Sequence, residues 1–308
     1  MSCFFYWNRM QLNHAFVLTL IAASLVACGG GSSSPADPAV TVNSPVTPVI
    51  PAVTPPVSPP VSPPVTPVTP PVVPPVAIPD LGAVSAPFVK ANVARYMVNS
   101  TGGQNSGVLR SVVQGSSGAL SEISGIALTG AEAATRNISG DASFAQGRWI
   151  KGTVTSASGN YNLEAVNAST HYVVYNTLTA LPVSGTVSCD AGTFTAPNYA
   201  GGLSGWQTTY FGTASGSGSL IFDTSGVKVN VTIDTQAGGS SGQLKGSTVF
   251  SPSMPDAMGF TGMYLASGNG MQLMLGDGGP GRYLLVVGYK TTLVNGANYQ
   301  GVATFRCS

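Results

Sequence analysis

Val227-Lys228-Val229-Asn230-Val231-Thr232-Ile233-Asp234 is the stretch that decides the fold class. Apolar and polar residues alternate strictly along it. Val227, Val229, Val231 and Ile233 line one face and Lys228, Asn230, Thr232 and Asp234 the other, the period of a half-buried strand. Just upstream, Ser219-Leu220-Ile221-Phe222 runs into Asp223-Thr224-Ser225-Gly226, a turn composition that joins the two runs as a hairpin. Residues 243–250 continue the meander.

Outward from this hairpin the texture is uniform over residues 80–308. Short apolar or alternating runs are cut by Gly, Ser and Asn clusters at the spacing of an all-β sandwich or barrel. Further strands are expected at residues 108–113, 123–128, 148–155, 161–166, 171–177, 186–194, 209–214, 271–275, 283–289 and 299–307. Residues 86–98 alone show helical spacing, through Val89, Val93 and Met97, with Pro87 placed to start a helix. Sequence does not separate barrel from sandwich. The expectation is a Gly-rich antiparallel meander closing into a β-barrel of about eight strands with additional strands, because closure removes the exposed edges such a meander leaves.

Of the four cysteines in the chain, Cys189 shares strand parity with Val187, and Cys307 shares parity with Ala303 and Phe305. Both therefore sit on apolar strand faces, and in an exported domain they are expected to form one inward disulfide.

Export is read from the other end of the chain. Arg9 precedes an apolar run over residues 15–26 that is too short to span a bilayer. Met10 is an alternative start. Leu25-Val26-Ala27-Cys28 then resembles a bacterial lipobox, which implies a signal peptide over residues 1–27 and diacylglycerol on the Cys28 thiol. Gly29 in the next position favours the outer membrane over the inner. Several acyl chains together give stable anchoring. Residues 28–79 read as a Gly/Ser and Pro-rich disordered tether. Seventeen of the 23 prolines fall between Pro35 and Pro79. Proline removes donors and fixes φ, so polyproline II is the default, reaching on the order of 140 Å if fully extended. A spacer that lifts a domain off a membrane fits this better than a PxxP ligand.

Composition excludes several functions. The formal net charge is +1 and only 7% of residues are charged. With Lys and Arg scattered singly, no nucleic acid partner is expected. The mature chain holds one histidine, His171, expected as a satisfied surface or rim residue, and no CxxC, so neither metal nor cofactor is expected. Gly238-Gly239-Ser240-Ser241-Gly242 matches a nucleophile elbow in letters only, since a strand rather than a helix is expected after it. Gly276-Asp277-Gly278-Gly279-Pro280-Gly281 reads as turn punctuation, and Asp223 and Asp277 are too isolated for calcium. The chain is therefore expected to be non-catalytic. Its remaining resource is aromatic: Trp149, Trp206, Tyr210, Phe211, Tyr264, Tyr283, Tyr289 and Tyr299 serve either as core or as a patch at one barrel end. Trp206, in the loop at residues 198–207, with Tyr210 is the candidate contact for a protein partner, and the loop at residues 251–257 is likewise expected to expose apolar groups between strands.

Gly212-Thr213-Ala214-Ser215-Gly216-Ser217-Gly218-Ser219-Leu220-Ile221-Phe222-Asp223 followed by residues 227–234 resembles the Gly-rich barrel repeats of transferrin-binding-protein-B-like surface lipoproteins of proteobacteria. The segment from His171 to Pro182 with Gly185 likewise resembles exported proteobacterial barrel proteins. The resemblance runs over about residues 140–250 and implies an eight-stranded barrel on a lipid anchor, binding a host protein or metal carrier. This chain has one such domain, not the family's paired lobes, so no binding residue is carried over. The expectation is an outer-membrane-anchored lipoprotein whose barrel binds a protein or small ligand. A periplasmic solute-binding barrel and an envelope scaffold are the alternatives. A lipid-embedded barrel is disfavoured by the tether and by the ending Phe305-Arg306-Cys307-Ser308.

Overall fold

A strand that is covered on one face alternates in sequence, whereas one covered on both faces does not. That difference sorts the strands of this chain into layers. A computed structural model describes residues 81–101, 103–164, 168–202, 211–264 and 268–308, and these residues form strands without a helix.

The first sheet contains β1 (Gly82–Val84), β2 (Ala94–Ser100), β3 (Gly103–Val108), β4 (Val112–Gln114), β5 (Leu120–Ile123), β6 (Ile126–Gly140), β7 (Phe144–Ser156), β8 (Gly159–Leu163) and β9 (Thr170–Asn176). Seven of these lie in the order β3-β2-β9-β7-β6-β5-β4 and curl into a half-barrel, with β1 parallel to β6 and β8 antiparallel to β7. The two edge strands, β3 and β4, are consecutive in the chain, joined by Leu109-Arg110-Ser111. The chain itself thus spans the seam of the curl, and no strand ladder does so among the described residues.

Beyond it come β10 (Gly185–Ser188), β11 (Thr193–Phe194), β12 (Asn198–Gly202), β13 (Thr213–Asp223), β14 (Gly226–Ala237), β15 (Ser240–Phe250), β16 (Met258–Gly262), β17 (Gly270–Asp277), β18 (Tyr283–Thr292) and β19 (Ala297–Cys307). A second sheet has the order β10-β13-β14-β15, and a third the order β11-β19-β18-β17-β16 with β12 also on β19. The hairpin read from sequence is β13–β14, paired in unbroken register from Thr213↔Gln236 to Asp223↔Gly226. In its turn the Ser225 N–H donates to Asp223 Oδ1 at 2.7 Å. The strict alternation of β14 is realised with Val227, Val229, Val231 and Ile233 inside.

The third sheet is the middle of three layers. Its odd-numbered residues Met271, Leu273, Leu275, Leu285, Val287, Ala303 and Phe305 pack on the inner face of β13–β15. Its even-numbered Met274, Leu284, Val286 and Val302 pack on Met97, Phe144, Val173 and Tyr175 of the curled sheet. The other face of the curled sheet lines its own interior with Tyr96, Val98, Leu120, Ile123, Ile126, Trp149, Tyr172 and Val174. Burial on both faces is why β9, β17 and β19 are buried at nearly every position.

Cys189 and Cys307 are joined by a disulfide across 118 positions, with Cys307 wholly buried. It staples the residue after β10, at the edge of the second sheet, to the last residue of β19. Glycine has a packing role here as well. Three tyrosines lie directly opposite glycines in the ladders, as Tyr96↔Gly107, Tyr172↔Gly147 and Tyr289↔Gly301. A Cβ on Gly147 would stand 2.3 Å from the Tyr172 hydroxyl, so the ring takes the room the missing side chain leaves.

The helix expected at residues 86–98 is absent. Its stripe residues Val89 and Val93 are exposed, and from Ala94 the chain is a strand whose Tyr96 and Val98 face one core and Met97 another. The expected single strands at residues 108–113, 123–128 and 186–194 are each two strands, divided at Leu109-Arg110-Ser111, at Ser124-Gly125 and at residues 189–192. Closure into a complete barrel is not part of the observed architecture.

Candidate functional site

Two features of the curled sheet set it apart from a filled core: a concavity at its mouth and a layer of buried polar side chains on its back. The concavity, about 350 Å³, lies between the β2–β3 and β7–β8 hairpins. Val98, Ile126 and Val154 form an apolar floor continuous with the interior of the curl. Ser100, Gln104, Asn105, Ser156, Asn160 and Tyr161 form the rim. No Asp, Glu, Lys, Arg or His lines it. Several rim groups are held in place: the Tyr96 hydroxyl donates to Asn105 Oδ1 at 2.9 Å, and Gln104 Nε2 donates to the Tyr264 carbonyl at 3.1 Å. The Tyr161 hydroxyl lies 2.9 Å from Thr170 Oγ1, while its ring stays 40% exposed. A preformed concavity with an apolar floor and a few fixed polar groups is the usual form of a binding site.

On the opposite face, toward the middle sheet, Asn99, His171, Arg148 and Arg136 stand side by side across β2, β9, β7 and β6. His171 is completely buried. Its Nε2–H donates to Asn198 Oδ1 at 2.7 Å, and Nδ1 lies 2.7 Å from Thr195 Oγ1. Burial, with the Arg148 charge beside it, lowers its pKa to about 3 against the opposing pull of the Asn198 bond. The ring is therefore neutral at ordinary pH and occupied at both nitrogens. The surface or rim position expected for His171 is thus corrected: a lone imidazole reads as exposable in sequence, but the third sheet covers the face of β9 that carries it. The expectation that its bonding is satisfied agrees with this geometry.

Arg148 is also fully buried, its guanidinium 4.2 Å from the centre of the Phe211 ring. Burial, then the like charge of Arg136, lowers its pKa to about 10, which leaves it cationic at neutral pH. Nη1 reaches Ser169 Oγ at 3.4 Å. Ion pairs go elsewhere: Arg95 with Asp256 and Arg306 with Asp141, each at 2.7 Å, and Lys151 with Glu132.

Of the residues singled out in sequence, Cys189 and Cys307 are brought together. Cys28, Trp206 and Tyr210 lie outside the described residues. Trp149, Tyr264, Tyr289 and Tyr299 are core, and the Trp149 Nε1–H donates to the Leu120 carbonyl at 2.7 Å. The loop at residues 251–257 exposes Met254 and supplies Asp256 to Arg95. Gly238 and Gly239 occupy the turn between the antiparallel strands β14 and β15, Ser240-Ser241-Gly242 opens β15, and no helix comes after them. Among the described residues, no group of three or more His, Cys, Asp or Glu gathers at metal-binding distance. Tyr161 and Arg148 were not singled out in sequence. A weak signal existed for Arg148, a lone charge flanked by Phe144, Ala145 and Trp149 in a chain otherwise poor in charge.

Compared with known proteins, the chain matches no family model, no curated protein and no solved structure.

Proposed function

We propose that this protein is a lipoprotein anchored in the outer membrane through Cys28, and that its β-domain is a non-catalytic binding module whose ligand docks at the mouth of the curled sheet. The concavity with its apolar floor and uncharged rim carries this reading. Its size falls within the range of ligand sites, roughly 300–1,000 Å³. The absence of ionic groups on its wall selects a neutral partner, either a small polar molecule or an uncharged protein segment. Tyr161 supplies the exposed ring on which such a partner stacks. The buried, doubly engaged His171 supports the non-catalytic reading, because a general base must reach a substrate proton. In this reading the seven-stranded curl closes along the seam between β3 and β4 into a barrel of about eight strands, as the resemblance to the Gly-rich surface lipoproteins implies. The Pro-rich tether carries the mouth away from the bilayer.

The test uses full-length protein with acyl labelling and an envelope-binding assay. Cys28→Ala is expected to abolish acyl incorporation and membrane fractionation; continued labelling of that variant refutes the anchor. Tyr161→Ala is expected to weaken capture of envelope components by at least tenfold while the melting temperature stays nearly unchanged, since the ring is part-exposed. Unchanged capture refutes the mouth as the binding site.

A further inference from the structure

The guanidinium of Arg148 is a buried cation without a counter-charge. Among the described residues no carboxylate approaches it within ion-pair distance, and the directly opposite residue on β6 is Arg136, a second cation. His171, its neighbour on β9, contributes no negative charge. Removing a charge from water without a partner costs several kcal/mol, so buried charges are almost always paired. The two nitrogens of Arg148 that lack any partner are Nε and Nη2, both inaccessible to solvent. They form one edge of the guanidinium, and their N–H bonds run parallel at the spacing of the two oxygens of a carboxylate or phosphate. The Tyr289 hydroxyl lies within electrostatic range of Arg148 and is likewise buried without a hydrogen-bond partner. Phe211 covers the flat face of the guanidinium and leaves that edge as the side for a ligand. The half-buried Phe211 also borders an open concavity of about 500 Å³ walled by Gln236, Gly238, Gly239, Ser240 and Ser241, so the ring alone stands between that concavity and the face of the guanidinium it covers.

We propose that Arg148 anchors a second binding site, distinct from the mouth of the curl, for a small molecule bearing a carboxylate or phosphate group, seated on the Nε–H and Nη2–H edge with the Tyr289 hydroxyl as a further donor. The oxyanion supplies the missing counter-charge, so the site is specific for anions in a protein with hardly any net charge. Arg136 adds long-range attraction without competing for the edge, since its own Nη1 is engaged by the Thr135 carbonyl at 2.8 Å.

The experiment is thermal unfolding of the full chain with sodium acetate or sodium phosphate, against sodium chloride at equal ionic strength. A saturable rise in Tm with acetate or phosphate beyond chloride is expected. The stronger of the two anions tells carboxylate from phosphoryl recognition. Arg148→Met is expected to lose the rise and, in chloride, to melt no lower than the native protein, because it replaces an unpaired buried charge by an apolar chain. Arg148→Lys keeps the charge without the fork and is expected to need at least tenfold more anion for half-saturation; this comparison decides the matter if Arg148→Met does not fold. No anion-specific rise in the native protein, the same rise in Arg148→Met, or unchanged half-saturation in Arg148→Lys each overturns the proposal.

Discussion

Replacing Cys189 and Cys307 together by alanine removes a link that closes 118 positions of chain. In the chain-entropy account such a loop restricts the unfolded state by about 5 kcal/mol. Cys307 is wholly buried against the core between the second and third sheets, so losing its sulfur adds about 1 kcal/mol of lost packing. Domains of this kind are stable by only about 5–15 kcal/mol, so the variant gives up a third or more of its margin. Urea unfolding followed by far-UV circular dichroism reads the effect directly. At a slope of about 2.5 kcal/mol per M the midpoint falls by about 2 M. Reducing the native protein must produce nearly the same shift, and both thiols must resist alkylation until reductant is added. Midpoints of native and double-alanine protein within about 0.3 M of one another would refute the reasoning. So would prompt labelling of both thiols in unreduced protein.

Gly147→Ala drives a methyl group against the hydroxyl of Tyr172, itself held by the Leu120 N–H at 3.1 Å, and is expected to cost about 1–3 kcal/mol in the same urea assay. The sign of the acid response follows from His171, whose folded pKa of about 3 lies below its ordinary 6.5. The unfolded chain takes up the proton first, so stability is full above about pH 7 and is lost as pH falls from 6.5 toward 3, by about 2–3 kcal/mol at pH 4.5. A His171→Gln variant should show a flatter stability profile over that window, and an equally steep one contradicts the assignment. At the alkaline end, burial holds the phenols of Tyr175, Tyr264 and Tyr289 far above their ordinary range. The unfolded state therefore releases protons that the native state keeps, and stability falls as pH rises above about 10. Phenolate absorbance should accompany the loss of near-ultraviolet dichroism and not precede it.

How far the sequence discloses this molecule depends on how many faces of a strand are covered. β14 is legible to the residue because one side meets water, and the hairpin turn at Asp223 follows from its composition. The strands β17, β18 and β19 are legible as strands, but their place between two other sheets is not. Burial on both faces erases the alternation from which orientation is read, and Gln272, Gln300 and Thr304 look like solvent residues although all are buried. β6 escaped beyond its first three residues for another reason. It is broken by three register shifts, and residues 129–133 are exposed, so no period of two runs through it. The disulfide was legible from strand parity. The site was not: Tyr161 belongs to a short strand exposed along most of its length, and the isolation of Arg148 depends on which sheet covers it.

The order in which the layers are built has a consequence for how the chain reaches its final form. The middle layer draws three of its long strands from residues 270–307, which come after every strand of the other two layers. Until they arrive, the inner face of β13–β15 and the back of the curled sheet have nothing to pack on. A partly emerged chain therefore holds only the interior of the curl, and its remaining apolar strand faces stay open to water. Completion of both interlayer cores therefore waits on β17, β18 and β19.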